Sequence, residues 1–171
     1  MGVSEELADQ VEEGALDVAF LGLPTTAAPP KGLRARELGR DRLVALVAPG
    51  HPLAGAGAVN LRRLSTEVFV DLPAGTAGRV QSDQAFEAAG QAREVAFEVT
   101  NADFLARLVG QGLGVALLAS AYVAQLGGLT AGEVVEVTDA PERVEYAVWS
   151  GAGRTPAAGA FLAVLGVREE E

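Results

Sequence analysis

The chain has no cysteine, one histidine, one tryptophan and one methionine among its 171 residues. Without cysteine there is no disulfide, no thiolate nucleophile and no sulfur ligand, and a lone His51 cannot supply a cluster of imidazole ligands. Basic residues are also short: 13 Lys and Arg face 23 Asp and Glu, a net charge of −10. That balance repels a phosphate backbone, so these residues by themselves make a poor nucleic-acid surface. No apolar run reaches the roughly 18 residues that a membrane-spanning helix needs, and the opening Met1-Gly-Val-Ser-Glu-Glu6 lacks the basic and apolar regions of an export signal. A soluble, cytoplasmic protein is the expectation. What the chain does hold is apolar material, 49% of its residues, enough to bury a sizeable core in one domain or two small lobes.

The segment Thr100 to Ser120 carries the most information. Thr100 or Asn101 is placed to cap a helix, Phe104, Leu105, Leu108 and Val109 recur at helical spacing, and Gly110, Gly112 and Gly114 end the helix before the apolar strand Val115 to Leu118. Similar signals run through the rest. Ser4 to Glu13 reads as an amphipathic helix with Ser4 as its N-cap, and Gly14 stops it. Leu16 to Leu21, Leu33 to Leu38, Arg42 to Ala48, Val68 to Leu72, Glu94 to Val99, Glu133 to Val137 and Val144 to Trp149 read as strands. Helices are expected at Asn60 to Leu64, Arg79 to Ala89, Ala119 to Leu126 and Thr155 to Leu165, the last entered through Pro156. Glu169 to Glu171 reads as a solvated tail. Strands alternating with helices predict an α/β fold with parallel sheets covered by helices.

Catalytic signatures are missing. No G-x-S-x-G elbow presents a serine, the glycine-bearing loop from Gly75 to Gly78 has no G-K-[ST] continuation for a phosphate, and acidic residues are too numerous to single out a pair. No catalytic residue, metal site or cofactor is expected.

Several short patterns fall in one order: Ser4-Glu-Glu-Leu7, Gly14-Ala-Leu-Asp-Val-Ala19, Pro49-Gly-His-Pro-Leu-Ala54, Gly75-Thr-Ala-Gly-Arg79 and Gly112-Leu-Gly-Val115. Each alone is a helix cap, a turn or a strand edge. Together, in register, they resemble the effector-binding domain of LysR-type transcriptional regulators. The resemblance implies two Rossmann-like lobes similar to type 2 periplasmic binding proteins. Lobe I would comprise residues 1–41 and 144–171 and be incomplete, beginning after its second strand; lobe II, residues 42–143, would be complete. The DNA-binding winged helix-turn-helix of such regulators would be absent from this chain, so DNA would be a partner only through that missing domain. A homodimer or tetramer is implied, with a small-molecule effector, a carboxylate or similar metabolite, bound in the cleft between the lobes and modulating transcription. The alternative is a free-standing solute-binding protein of related fold.

By the same resemblance the ligand-binding positions are Ser4, Gly22, Leu72, Gly75, Thr76, Thr100 and Asn101. Helix N-termini at the carboxyl ends of parallel strands favour anions, and the short hydroxyls and amide in this set suit a carboxylate. Gly22 stands where some relatives carry a threonine or arginine, which argues against a highly charged ligand. Ser4, Thr76, Thr100 and Asn101 also read as plain helix caps. His51 reads as a structural or solvent-facing turn residue, Asp17 as bonding backbone at a strand start, Asp71 and Asp103 as solvated or capping, and Tyr146, Trp149 and Phe161 as packing between the last strand and helix.

Overall fold

The computed structural model describes residues 3–126, 132–151 and 155–167. The acidic segment Glu169 to Glu171 lies outside the described residues. In chain order the elements are α1 (Val3–Glu12), β1 (Val18–Pro24), β2 (Leu33–Val47), β3 (Ala58–Val59), α2 (Leu61–Leu64), β4 (Val68–Asp71), α3 (Ala77–Ala88), β5 (Glu94–Glu98), α4 (Ala102–Gly110), β6 (Ala116–Ala119), α5 (Ser120–Leu126), β7 (Glu133–Val137), β8 (Glu142–Ser150) and α6 (Pro156–Val164). Two compact units result: residues 1–41 with 142–171, and residues 42–141.

In the first unit β1 pairs antiparallel with β8, from Val18 opposite Trp149 to Pro24 opposite Arg143, and β8 also neighbours β2. The strand period of two sends alternate residues to opposite faces. Ala19, Leu21 and Val148 pack on Ala8 and Val11 of α1, while Ala147 and Trp149 pack on Leu162 of α6 and on Val167. Tyr146 follows the same rule and joins the α1 side, so the expected packing of Tyr146 against the last helix is corrected. Phe161 instead meets Phe20 edge to face, 6.1 Å between centroids.

The second unit is a sheet with helices on both faces. The carboxyl-terminal half of β2 pairs antiparallel with β6 and with β7, and β3 runs parallel to β7. β4 and β5 are parallel, and the Val70 and Val115 amides, donating to the carbonyls of Val115 and Val68 at 2.9 and 2.8 Å, tie β4 to the start of β6. The order is therefore β5-β4-β6-β2-β7-β3, with β2 the one strand reversed. Leu53, Leu61, Leu64, Ala85 and Phe86 cover one face; Leu105, Ala106, Val109, Val123 and Leu126 cover the other.

Two local expectations are corrected. The stretch read as separate strands Leu33 to Leu38 and Arg42 to Ala48 is one strand of 15 residues. Gly39 takes no left-handed conformation and Asp41 is buried, so the polar Gly39-Arg40-Asp41 stretch continues the strand. Ser4 is not an N-cap: α1 begins at Val3, and the Ser4 hydroxyl sits inside the first turn.

Gly112 and Gly114 divide the labour after α4. Gly112 has φ +78, the left-handed conformation that stops the helix. At Gly114 the constraint is space, because a Cβ would lie 2.7 Å from the Val68 carbonyl oxygen.

Candidate functional site

β4, β5 and β6 run parallel, so their carboxyl ends, and the helices that follow them, lie at one end of the second unit. From β4 the chain leaves through Leu72 to Thr76 into α3, from β5 through Val99 to Asn101 into α4, and from β6 directly into α5. This is the end of an α/β sheet where helix N–H groups point outward and anions are favoured.

The capping residues divide these roles. Asn101 is the N-cap of α4, its Oδ1 accepting the Phe104 N–H at 2.9 Å, and Thr100 beside it is exposed. Thr76 occupies the N-cap position of α3 yet makes no side-chain cap bond. Its hydroxyl donates instead to the Pro73 carbonyl at 2.8 Å. The opening N–H groups of α3 are therefore not taken up by the Thr76 side chain. Gly75, exposed and at φ +85, turns the chain into the helix, and Leu72 is half-buried against the cluster beneath α4 and α5.

Beneath this rim lies a charge network that composition alone gives no reason to expect. Asp71, the last residue of β4, is 2% exposed, not solvated. Its Oδ1 accepts the Leu72 N–H at 2.7 Å, and its Oδ2 meets the Arg93 guanidinium at 2.6 Å. Burial pushes the Asp71 carboxyl above the ordinary carboxylate range, while Arg93 and Arg79 pull it back. Arg79, in the first turn of α3, donates to the Leu72 carbonyl at 3.1 Å, to Glu98 at 2.7 Å and to Asp83 at 3.0 Å. It thereby ties the Leu72 loop to the end of β5. Arg79 belongs to the Gly75-Thr-Ala-Gly-Arg79 pattern, so sequence marked the position without marking its partners. Two arginines here face Asp71, Asp83 and Glu98. The cations are consumed internally, and the donors left at the rim are neutral.

In the first unit the Ser4 hydroxyl donates to the Gly22 carbonyl at 3.3 Å, bringing those two residues together. Gly22 lies directly across from Glu145, and a Cβ there would be 3.4 Å from Arg143 Cδ and from Glu145 Oε1. Arg143 and Glu145 form an ion pair beside it. Sequence reading missed that pair, because strand register brings residues of β8 beside a glycine of β1.

The remaining residues are structural. His51 Nδ1 accepts the Leu53 N–H at 3.2 Å within the turn, and Asp103 accepts the Tyr122 hydroxyl at 2.9 Å. Burial, reinforced by that bond to Asp103, raises the Tyr122 hydroxyl above its ordinary value. Among the described residues no group of His, Asp or Glu could hold a metal ion, and no helix is long and apolar enough to cross a membrane.

Comparison with known proteins agrees with this architecture. The family model for the LysR substrate binding domain matches residues 1–168. The chain is 30% identical over 162 residues to the RuBisCO operon transcriptional regulator of Allochromatium vinosum, covering 92% of this chain and 52% of that protein. It is 26% identical over 166 residues to the HTH-type transcriptional regulator CbbR of Sinorhizobium medicae, covering 94% and 51%. The chain thus spans about half the length of the curated relatives it matches. Among solved structures it resembles the regulatory domain of Synechocystis PCC6803 CcmR in complex with 2-PG, with TM-score 0.76, 19% identity and coverage of 95% of this chain and 77% of that one. The effector binding domain of QuiR in complex with shikimate is similar, with TM-score 0.71, 17% identity and coverage of 96% and 77%. The fold is that of type 2 periplasmic binding proteins, and the chain belongs to the LysR substrate binding domain family.

Proposed function

We propose that this chain is the effector-sensing domain of a transcriptional regulator and that its effector is a small carboxylate, with one anionic group received at the carboxyl ends of β4 and β5. The observation that carries this reading is the N-terminus of α3, where Thr76 donates to Pro73 and leaves the helix uncapped by its own side chain. Thr100 and the amide nitrogen of Asn101 stand at the end of the neighbouring strand. Arg79 and Arg93 are committed to Asp71, Asp83 and Glu98, so the site offers neutral donors and a helix dipole and suits a singly charged head better than a polyanion. CcmR and QuiR, similar in fold, are described in complex with 2-PG and with shikimate, which supports a small acid as the ligand class.

In this reading the domain carries no catalysis. His51, the single histidine, accepts the Leu53 N–H within its turn and lies 3.6 Å from the Glu67 carboxylate. Effector binding shifts the equilibrium between two states of the regulator by its differential affinity for them, and DNA is contacted by residues other than these, whose net charge is −10. A homodimer or tetramer in the cytoplasm completes the proposal.

A thermal-shift screen of small carboxylates, shikimate included, tests it. A ligand present at about 100 times its Kd adds about 2.7 kcal/mol, and hence raises Tm by about 5 °C or more. The proposal expects such a shift from at least one monocarboxylate and its reduction in Thr100→Val. Stabilisation confined to cations or uncharged compounds would overturn it.

A further inference from the structure

One guanidinium joins every element at the carboxyl ends of β4 and β5. Arg79 Nη1 donates to the Leu72 carbonyl at 3.1 Å and to Glu98 Oε1 at 2.7 Å, while its Nε lies 3.0 and 3.1 Å from the two carboxylate oxygens of Asp83. The exit from β4, the last residue of β5 and the second turn of α3 therefore share one planar fork. Leu72 is held through both of its backbone groups, since its N–H donates to Asp71 Oδ1 at 2.7 Å and its carbonyl accepts from Arg79. Its side chain is confined as well: a Cβ at Gly78 would stand 2.9 Å from Leu72 Cδ1, so α3 starts in contact with the residue that Arg79 grips. Beyond Leu72 the turn closes on itself, the Thr76 amide and hydroxyl both donating to the Pro73 carbonyl at 3.2 and 2.8 Å. Those two bonds give the turn its shape and leave its direction to the Leu72 anchor. Ala85 and Phe86 pin the far half of α3 in the core, whereas residues 78–81 are half-buried.

We infer that Arg79 is a positioning residue for the proposed effector site, holding the Leu72–Thr76 loop and the opening amides of α3 in the pose that receives an anion. This rests on the reading of that end of the unit as the effector site. Arg79 acts by geometry and not by attraction, because Arg79 and Arg93 face three carboxylates, Asp71, Asp83 and Glu98, and the network has no net positive charge to offer. A guanidinium spans several acceptors in fixed directions, which a lysine ammonium, a point charge on a flexible stem, does not.

Arg79→Lys separates the two roles, since it keeps the charge and loses the fork. Amide hydrogen exchange on the unliganded chain is expected to quicken about tenfold or more across residues 72–80 in this variant and to stay unchanged in β2 and β7. Calorimetry with the monocarboxylates of the thermal-shift screen, shikimate included, is expected to show a Kd raised about tenfold or more for whichever of them the parent binds. Glu98→Gln, at a half-exposed side chain on the edge strand, should change both readouts in the same direction to a smaller extent, and it decides the matter if Arg79→Lys does not fold. Unchanged exchange over residues 72–80 in the folded variant, a rise spread evenly along the chain, or equal carboxylate binding by variant and parent would each overturn the inference alone. A parent that binds none of the carboxylates overturns the effector reading, and this inference with it.

Discussion

Arg93 meets Asp71 at 2.6 Å with both side chains almost withdrawn from water, 4% and 2% exposed. The guanidinium also lies over two rings, its carbon 4.9 Å from the Phe69 centroid and 5.2 Å from that of Phe86. Arg93 is therefore both the counter-charge of a buried carboxylate and part of the packing of α3 on β4.

Removing the cation tests this pair and carries a pH signature. Burial already raises the Asp71 pKa in the folded chain, so its contribution to stability is full below the unfolded value of about 3.9 and is lost as pH rises through the folded value. Arg93→Met deletes an interaction that holds the carboxyl down, and so raises the folded value further. The variant should lose about 3 kcal/mol near neutral pH, with the deficit shrinking toward acid as Asp71 takes up its proton. Adding Asp71→Asn should recover part of the loss. Urea unfolding across pH measures both; a deficit that grows toward acid contradicts the pairing.

Gly114 is predicted to tolerate no side chain. A Cβ would sit 2.7 Å from the Val68 carbonyl oxygen and 3.2 Å from Val70 Cγ2, and the Val68 oxygen accepts the Val115 amide that joins β4 to β6. Gly114→Ala should cost about 2 kcal/mol or more through backbone displacement. Gly112→Ala, strained by φ +78 but with nothing within 4 Å, should cost about 1 kcal/mol. Comparable losses in the two would show that the close approach does not constrain the strand.

Asn101 and Thr100, adjacent in sequence, should separate stability from binding. Asn101→Ala removes the cap of α4 and should lower stability by about 1 kcal/mol. Thr100→Val, at an exposed position that caps nothing, should stay within about 0.5 kcal/mol of the parent while weakening carboxylate binding. Chemical denaturation and calorimetry on the two variants give the comparison. Unaltered binding in Thr100→Val removes Thr100 from the site.

Gly22 should accept substitution. The Cβ of Gly22→Ala would be 3.4 Å from its nearest neighbours, in ordinary contact with Arg143 and Glu145. A stability change within about 0.5 kcal/mol is expected by thermal melting. A loss of several times that size would mean that the Arg143–Glu145 pair cannot yield.

Much of the second unit was legible in the chain because its signals are local. Asn101 with its following apolar spacing announced α4, Thr155-Pro156 announced α6, and Gly112 announced the turn before β6. Thr76 was placed at a helix start correctly, whereas Ser4, read as an N-cap, lies within the first turn of α1; both hydroxyls went to carbonyls, of Pro73 and Gly22. A hydroxyl both donates and accepts, and which it does depends on the group that folding brings near it.

By itself the sequence determined the α/β class, most of the helices and strands though not the short β3, and through ordered short patterns the family, because periodicity, capping and turn chemistry act over a few residues. Tertiary structure alone decided that residues 33–47 form one strand and that Arg93 neutralises Asp71 across 22 positions of sequence. It also decided that Arg79 joins the exit of β4 to the end of β5. The physical reason is common to all three. Strand register and side-chain direction are settled by pairing with distant strands, and a charge finds its partner only after the sheet has placed the two within reach.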